Sequence, residues 1–332
     1  MVKLLDCTLR DGGYINDWKF GEQAIVDISS TLVNSNVDIV ELGFLKDEAQ
    51  NKDRTVFNSV KQFVPLIKEK KKNTLYAAMI DVQGRIPIEM VEPCTPDTVD
   101  VIRVIVWKRL LDSDFEYCKK IAEKGYKLCV QPARVDQYSE EEFVSMIRRF
   151  ETLNPLAIYV VDSWGTLSIK DFLHYFCLMD KNLKQGVSIG YHGHNNMQQA
   201  FGIAQALLNS FAMHDLIIDS SIYGIGRGAG NLNTEIIANY LNSAFNANYN
   251  IENILQLYYK YIKEIYDVFP WGYSIPLFAT AMKNCNPEYG VFLQKKNIAG
   301  ARCLEFINGL SGDNKIRYNK EFASSFVESL AK

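Results

Sequence analysis

The chain has 332 residues, of which 48% are hydrophobic and 23% charged, and its formal net charge at pH 7 is −3. This is the composition of an ordinary globular protein. Both signs of charge are mixed along the chain, which argues against a nucleic-acid or membrane-surface patch, and no apolar run approaches membrane-spanning length.

The seven cysteines are odd in number and form no C-x-x-C pair, which argues against a zinc cluster and against a disulfide framework. An acidic residue already stands at Asp6, too early for the apolar core of a signal peptide. We therefore expect a reduced, cytoplasmic protein of enzyme size.

Apolar, β-branched runs alternate along the chain with longer helical patterns, and their near-continuous apolar character is typical of strands covered on both faces. The predicted strands cover 2–6, 37–43, 74–80, 100–106, 126–131, 156–162, 187–192 and 215–219. Predicted helices cover 21–34, 55–70, 112–124, 139–150, 168–180, 197–211 and 231–246. Prolines interrupt 83–98, where we expect only a short helix with loops.

Eight strands, each followed by a helix, predict an α/β fold of the (β/α)8 TIM-barrel type over residues 1–246. The rival, an open doubly wound sheet, would usually show G-x-G-x-x-G after the first strand, and D-G-G-Y at 11–14 lacks that spacing. The alternation stops near 247. An amphipathic helix is predicted at 251–269, and 247–332 as a whole is predicted to be a helical C-terminal extension.

The first strand leads into D-C-T-L-R-D-G-G at 6–13, where Arg10 stands beside Asp11. A carboxylate can hold a hard divalent cation, and a guanidinium can neutralise an oxyanion that forms next to it. An internal ion pair that tethers the first strand is the structural alternative.

His192 and His194 end the seventh strand, and residues i and i+2 of a strand point to the same side. Two imidazoles placed in this way could bind one metal, or could simply be hydrogen-bonded in a polar strand end. In a barrel, the carboxyl ends of all strands share one face, so Asp11 would meet this pair across the eighth strand. The mixed O/N set suits Mn²⁺ or Mg²⁺, with Co²⁺ and Zn²⁺ also open, and Glu41 is placed to hold Arg10.

A glycine-rich segment, G-I-G-R-G-A-G-N at 224–231, follows the eighth strand. Its glycines let the backbone approach a ligand closely. A phosphate-binding loop, a mobile flap over a metal and a plain turn before the next helix all fit this pattern. Asn231 could cap that helix or supply a further metal ligand.

Together with V-E-L-G at 40–43, D-S-W-G at 162–165 and H-G-H-N-N at 192–196, these motifs resemble the DRE-TIM metallolyases across roughly 1–245. The likeness is greatest to the 4-hydroxy-2-oxovalerate aldolase branch; the superfamily also includes HMG-CoA lyase, isopropylmalate synthase and homocitrate synthase. The resemblance implies that Asp11, His192 and His194 bind the metal, with Asn231 as a further ligand. It implies that Arg10 stabilises the enolate oxygen and that Glu41 orients Arg10.

The general base of the family is not matched. Aldolases of that branch carry a histidine where this chain has Tyr14, and the acyl-CoA lyase uses a cysteine in its glycine-rich loop, which is absent from 224–230. Tyr14 could replace the histidine only if its pKa, ordinarily near 10, were lowered. Tyr289 is a second candidate, and ring packing is the alternative role for both tyrosines.

We therefore expect a divalent-metal aldolase or lyase that cleaves or forms a carbon–carbon bond of a 2-oxo acid through a pyruvate-type enolate, with an aldehyde as the second substrate. Ser163, Gln131 and Arg227 are predicted to contact substrate oxygens. Two alternatives remain: a Claisen-type synthase using an acyl-CoA, for which we find no basic groove, and a metal-binding subunit without catalysis. The sequence leaves open whether the chain forms a homo-oligomer and whether it binds a partner dehydrogenase. In the aldolase branch, a comparable C-terminal extension joins such a dehydrogenase.

Overall fold

The computed structural model of the chain describes residues 1–49, 51–67, 70 and 73–329. Eight parallel strands pair in chain order, and the first also pairs with the eighth, which closes the sheet into a barrel. The strands are β1 (Val2–Asp6), β2 (Ile39–Leu45), β3 (Leu75–Ile80), β4 (Val101–Val106), β5 (Lys127–Pro132), β6 (Ala157–Asp162), β7 (Ser188–Gly193) and β8 (Leu216–Ser220). The predicted TIM barrel is confirmed.

Helices pack around this sheet and bury their apolar faces against it. The α-helices of the barrel are Thr8–Asp11, Gly13–Asn16, Glu22–Asn34, Leu111–Glu123, Glu140–Phe150, Ile169–Asn182, Ala200–Leu208 and Thr234–Phe245. Short 3₁₀ helices are Val60–Leu66, Ile88–Met90, Lys108–Leu110, Val135–Gln137, Glu151–Leu153 and Ile222–Gly224. Local sequence explains several of the starts; for example, Ser139 and Glu142 form a capping box at the start of Glu140–Phe150.

The helix predicted over 55–70 is wrong. Val56–Phe57 is instead a two-residue strand beside β2, where the backbone N–H groups of Phe44 and Lys46 donate to the carbonyls of Thr55 and Phe57. The 3₁₀ helix Val60–Leu66 follows, with Pro65 inside it, where proline cannot donate a backbone hydrogen bond. Residues 68 and 69 of the predicted helix lie outside the described part of the chain. As expected, 83–98 contains one short helix, Ile88–Met90.

The interior of the barrel is built in layers, each made of side chains from alternate strands. Near the amino ends of the even-numbered strands the layer is apolar, and its members are Ile39, Val101, Ala157 and Ile217. Two residues further along the same four strands the side chains point inward again, and they are Glu41, Arg103, Tyr159 and Asp219. This second layer, hereafter the charged layer, lies toward the carboxyl ends of the strands.

The described residues after the barrel contain these helices, joined by short loops: Ile251–Leu257, the π-helix Tyr258–Ile262, Lys263–Val268, Ile275–Met282, Pro287–Lys295, Gly300–Gly309, Gly312–Ile316 and Lys320–Ser329. The amphipathic helix predicted at 251–269 therefore contains a π segment. Along this segment, Leu257 is buried whereas Leu255 is 42% exposed. The division of the chain at residue 246 stays a prediction. Among the described residues, no helix combines the length and apolarity that crossing a bilayer requires.

Candidate metal centre

Asp11, His192 and His194 come together at the carboxyl ends of the strands. Asp11 ends the short helix after β1, His192 lies in β7, and His194 follows it. Each offers one potential ligand atom, and the three atoms lie within 4.8 Å of one another. All three side chains are buried, and the two imidazole rings are nearly perpendicular, with centroids 5.2 Å apart. One carboxylate and two imidazoles in this arrangement could hold a metal ion.

The electrostatics of this group suit a cation. Burial alone would raise the pKa of Asp11, but the guanidinium of Arg10 and the two histidines hold that pKa well below its usual range. Burial lowers the pKa of His194 to about 3, against the opposing effect of Asp11. Asp11 is therefore ionised and His194 neutral near pH 7, which are the protonation states that metal ligands require.

Nδ1 of His194, within this group, and Oδ1 of Asn231, beside it, have no hydrogen-bond partner among the described residues. The amide nitrogen of Asn231 donates to Oδ2 of Asp11 at 2.8 Å, so Asn231 stands next to the proposed ligands. A Cβ atom built on Gly226 would overlap both of these side chains. Gly226 therefore lets these two side chains lie against the backbone, and unpartnered buried polar atoms beside a carboxylate fit a bound divalent cation.

Arg10 is held on two sides. Its Nε donates to Oε2 of Glu41 at 2.8 Å, and its Nη1 is ion-paired with Asp11. The remaining nitrogen, Nη2, is buried without a hydrogen-bond partner among the described residues. Arg10 therefore keeps one donor for an oxygen that is not part of the protein.

Tyr14 and Arg227 lie beside this group. The guanidinium of Arg227 is 5.8 Å from the centroid of the Tyr14 ring, and the backbone N–H of Arg227 donates to Oδ2 of Asp11 at 3.3 Å. Although 39% of Tyr14 is exposed, desolvation raises its pKa to about 12, and Arg227 acts in the opposite direction. The surrounding protein therefore does not lower that pKa, as a tyrosine acting as general base would require.

The other predicted site residues have protein partners. With its amide oxygen turned toward Arg103, Gln131 accepts from Nε at 3.2 Å and from Nη2 at 2.9 Å. The hydroxyl of Ser163 accepts from the backbone N–H of Arg134 at 3.0 Å.

Tyr289 is not brought to the group. It is fully buried in the core of the C-terminal helices, where its hydroxyl donates to the carbonyl of Arg317 at 3.1 Å and accepts from the N–H of Asn319 at 3.0 Å. Its neighbour Glu288 does reach the site, since Oε1 of Glu288 accepts from Nε of Arg227 at 2.9 Å.

Sequence reasoning missed Arg103 and Asp219. The carboxylate of Asp219 contacts Nδ1 of His192 at 2.9 Å, which leaves Nε2 of His192 for a ligand role. Both residues are single charges inside apolar strands, β4 and β8. A charge at an inward position of a buried strand was the available signal, because such a side chain needs a partner.

Residues 1–259 match the family model described as HMGL-like. Among curated proteins, the chain is 24% identical over 245 residues to oxaloacetate decarboxylase of Mycobacterium tuberculosis, covering 70% of this chain and 68% of that one. It is also 24% identical over 238 residues to 4-hydroxy-2-oxovalerate aldolase of Geobacillus genomosp. 3, covering 71% and 69%.

Solved structures share the fold. The N-terminal domain of a proposed aldolase from Bacteroides vulgatus superposes with a TM-score of 0.70 at 22% identity, covering 88% of this chain and 96% of that one. HMG-CoA lyase of Bacillus subtilis superposes with a TM-score of 0.60 at 14% identity, covering 82% and 94%. At these identities the likeness supports the barrel and carries no information about the substrate.

Proposed function

Since the chain belongs to the HMGL-like family, as its motifs predicted, we propose that it is a divalent-metal-dependent lyase of 2-oxo acids that cleaves or forms a carbon–carbon bond through a pyruvate-type enolate. The observation that carries the proposal is the buried convergence of Asp11, His192 and His194 next to the unpartnered donor of Arg10. Relatives named as an aldolase and as a decarboxylase, both of which act on 2-oxo acids, support the same reaction class.

In this proposal, Asp11, His192 and His194 hold the cation, and the amide oxygen of Asn231 is the further ligand. The bound cation supplies Lewis-acid polarisation of the substrate carbonyl. Arg10 donates from Nη2 to the oxygen that becomes negative as the enolate forms, and the buried surroundings strengthen that interaction. Glu41 holds the guanidinium in place for this contact.

Tyr14 has the role of a proton donor in this proposal. With a pKa near 12, its hydroxyl stays protonated throughout the neutral range. It can therefore donate a hydrogen bond to the carbonyl oxygen of the second substrate, or a proton to the alkoxide that an aldol addition creates there. The nearby Arg227 favours negative charge at the same place.

Oxaloacetate decarboxylation is a second candidate, which the similarity to the M. tuberculosis protein favours. Loss of CO₂ from oxaloacetate leaves the same pyruvate enolate, so the same residues would serve both reactions. The two candidates differ in the group that leaves, CO₂ in one case and an aldehyde in the other.

The test is exchange of the pyruvate methyl protons in D₂O, followed by NMR, with purified protein and Mn²⁺. We expect exchange that a chelator abolishes, with solvent taking up the methyl proton, since no side chain in this proposal accepts it. A panel of aldehydes and oxaloacetate then separates the two candidates. His192→Ala should lose Mn²⁺ binding and exchange together. His174→Ala is the matched control, because His174 is half exposed and pairs with Glu140 on the surface.

Other outcomes assign the chain differently. Exchange into acetyl-CoA, but not into pyruvate, would favour the Claisen-type synthase. Tight Mn²⁺ binding with no exchange into pyruvate or acetyl-CoA and no turnover of oxaloacetate would refute the proposed reaction and favour a metal-binding subunit. Full exchange by His192→Ala with Mn²⁺ retained would remove His192 from the ligand set.

A further inference from the structure

A continuous run of buried charges lies directly beneath the candidate metal centre. Arg10 contacts Glu41, and Oε2 of Glu41 is also 2.9 Å from Nη1 of Arg103. The other terminal nitrogen of Arg103 is ion-paired with Asp219, which contacts His192 at 2.9 Å. Arg103 therefore joins the two sides of the centre, the one that carries Arg10 and the one that carries His192.

The charged layer is unusual for its position in the barrel. Layers of this kind are ordinarily filled by bulky branched apolar residues. Arg103 and Glu41 are fully buried, and Asp219 is 2% exposed. Removing three charges from water is costly, and well-packed apolar residues of similar volume would often be no less stable. Barrel folding alone therefore does not explain these residues, whereas a requirement for orientation at the site does.

The packing around Arg103 keeps its guanidinium in one orientation. The ring of Tyr159, also in the charged layer, lies 4.9 Å from the guanidinium carbon. Gly190 leaves the space that this ring fills, because a Cβ atom there would overlap it. With its amide oxygen turned toward Arg103, Gln131 accepts from Nε and also from Nη2, the nitrogen that pairs with Asp219. The planar fork of an arginine can contact Glu41 and Asp219 at once, which a single ammonium group cannot do.

We propose that Arg103 is a positioning residue that, through Glu41 and Asp219, fixes Arg10 and His192 in one relative orientation for metal binding and for enolate stabilisation. This inference rests on the proposed function, but its main readout does not depend on the reaction. Arg103 itself touches neither metal nor substrate. Its effect reaches the site through two carboxylates, each of which orients one site residue.

The test compares Arg103→Lys, which keeps the charge but loses the fork, with Tyr159→Phe. The second variant is the matched control, because it keeps the ring in the charged layer and removes a hydroxyl that has no partner among the described residues. We expect the Kd for Mn²⁺, measured by calorimetry without substrate, to rise about tenfold or more in Arg103→Lys. The visible spectrum of the Co²⁺-loaded protein should change as well, while Tyr159→Phe stays within twofold of the wild type.

If Arg103 has a purely structural role, folded Arg103→Lys should have a lower melting temperature, but its Mn²⁺ Kd, Co²⁺ spectrum and pyruvate exchange should all match the wild type. That result would overturn the proposal. If Arg103→Lys does not fold, Asp219→Asn makes the same comparison, because its amide oxygen can replace only part of what the carboxylate does for Arg103 and His192.

A measurement on the wild type needs no variant. Histidine ¹⁵N spectra of the Zn²⁺-loaded protein should show Nε2 of His192 as the metal-bound nitrogen, since Nδ1 faces Asp219. Binding through Nδ1 would contradict the proposal. Wild-type protein that binds Mn²⁺ and shows this spectrum, yet neither exchanges protons into pyruvate or acetyl-CoA nor turns over oxaloacetate, would remove the proposed reaction while leaving the positioning role of Arg103 in place.

Discussion

Gly226→Ala should damage the candidate metal centre without disturbing the backbone. The φ angle of Gly226 lies outside the left-handed region, so alanine can adopt its conformation. The added methyl group, however, would overlap Oδ2 of Asp11 and Nδ2 of Asn231. To restore ordinary van der Waals separation, one or both side chains must move by about 1 Å. A misplacement of that size typically lowers a catalysed rate by about 100-fold, or about 2.7 kcal/mol.

The assays are the Mn²⁺ Kd by calorimetry and the exchange of pyruvate methyl protons by NMR. Both should be impaired in Gly226→Ala while its circular dichroism spectrum stays that of the wild type. Gly202→Ala is the matched control: it lies in the helix Ala200–Leu208, where a Cβ would meet only Ile169 at 3.4 Å, and it should leave both quantities unchanged. Wild-type Kd and wild-type exchange in Gly226→Ala would show that Asp11 and Asn231 are not where the reasoning needs them.

Two more expectations concern single side chains. Tyr14→Phe should keep the Mn²⁺ Kd within twofold but lower turnover by about 100-fold, because a positioned proton donor is lost; unchanged turnover would show that Tyr14 does not have this role. Because the pKa of Tyr14 is near 12, the wild type should lose no activity through ionisation of Tyr14 between pH 7 and 10. Burial raises the pKa of Asp6 from 3.8 to about 6, so the folded state holds a proton that the unfolded state releases, and stability falls as pH rises from about 4 to 6. Asp6→Asn should reduce this fall in the free energy of unfolding by about 2 kcal/mol between pH 4 and pH 7, measured by urea denaturation, and an equal fall in both proteins would contradict the assignment.

The barrel and the convergence of Asp11, His192 and His194 could be predicted because their evidence is local. Strands such as Val101–Val106 are nearly continuous apolar runs, and each ends close to where its apolar run ends. His192 and His194 lie two residues apart on one strand, so their shared direction follows from the strand period alone. Asp11 could be added because a barrel brings the carboxyl ends of all its strands to one face.

The remaining features depend on which strand lies next to which residue. Arg103 was interpreted as part of an apolar run, and only the closed barrel shows that it reaches Glu41 and Asp219. The helix predicted near Val56 failed because pairing with β2 outweighed local helical periodicity. Tyr289 looked available as a catalytic group, but contacts within the C-terminal helices, invisible in the sequence, use its hydroxyl.

The charged layer has a consequence for engineering this protein. Joint replacement of its three buried charges by apolar residues of similar volume would relieve the desolvation of paired ions, whereas replacement of only one would leave a buried charge without its partner and destabilise the barrel. A screen that rewards survival on heating and ignores turnover will therefore reject single changes at Glu41, Arg103 and Asp219 but can accept joint apolar replacement of all three. Thermostable versions that still work should come from libraries in which these three codons are held constant and the outer helices vary.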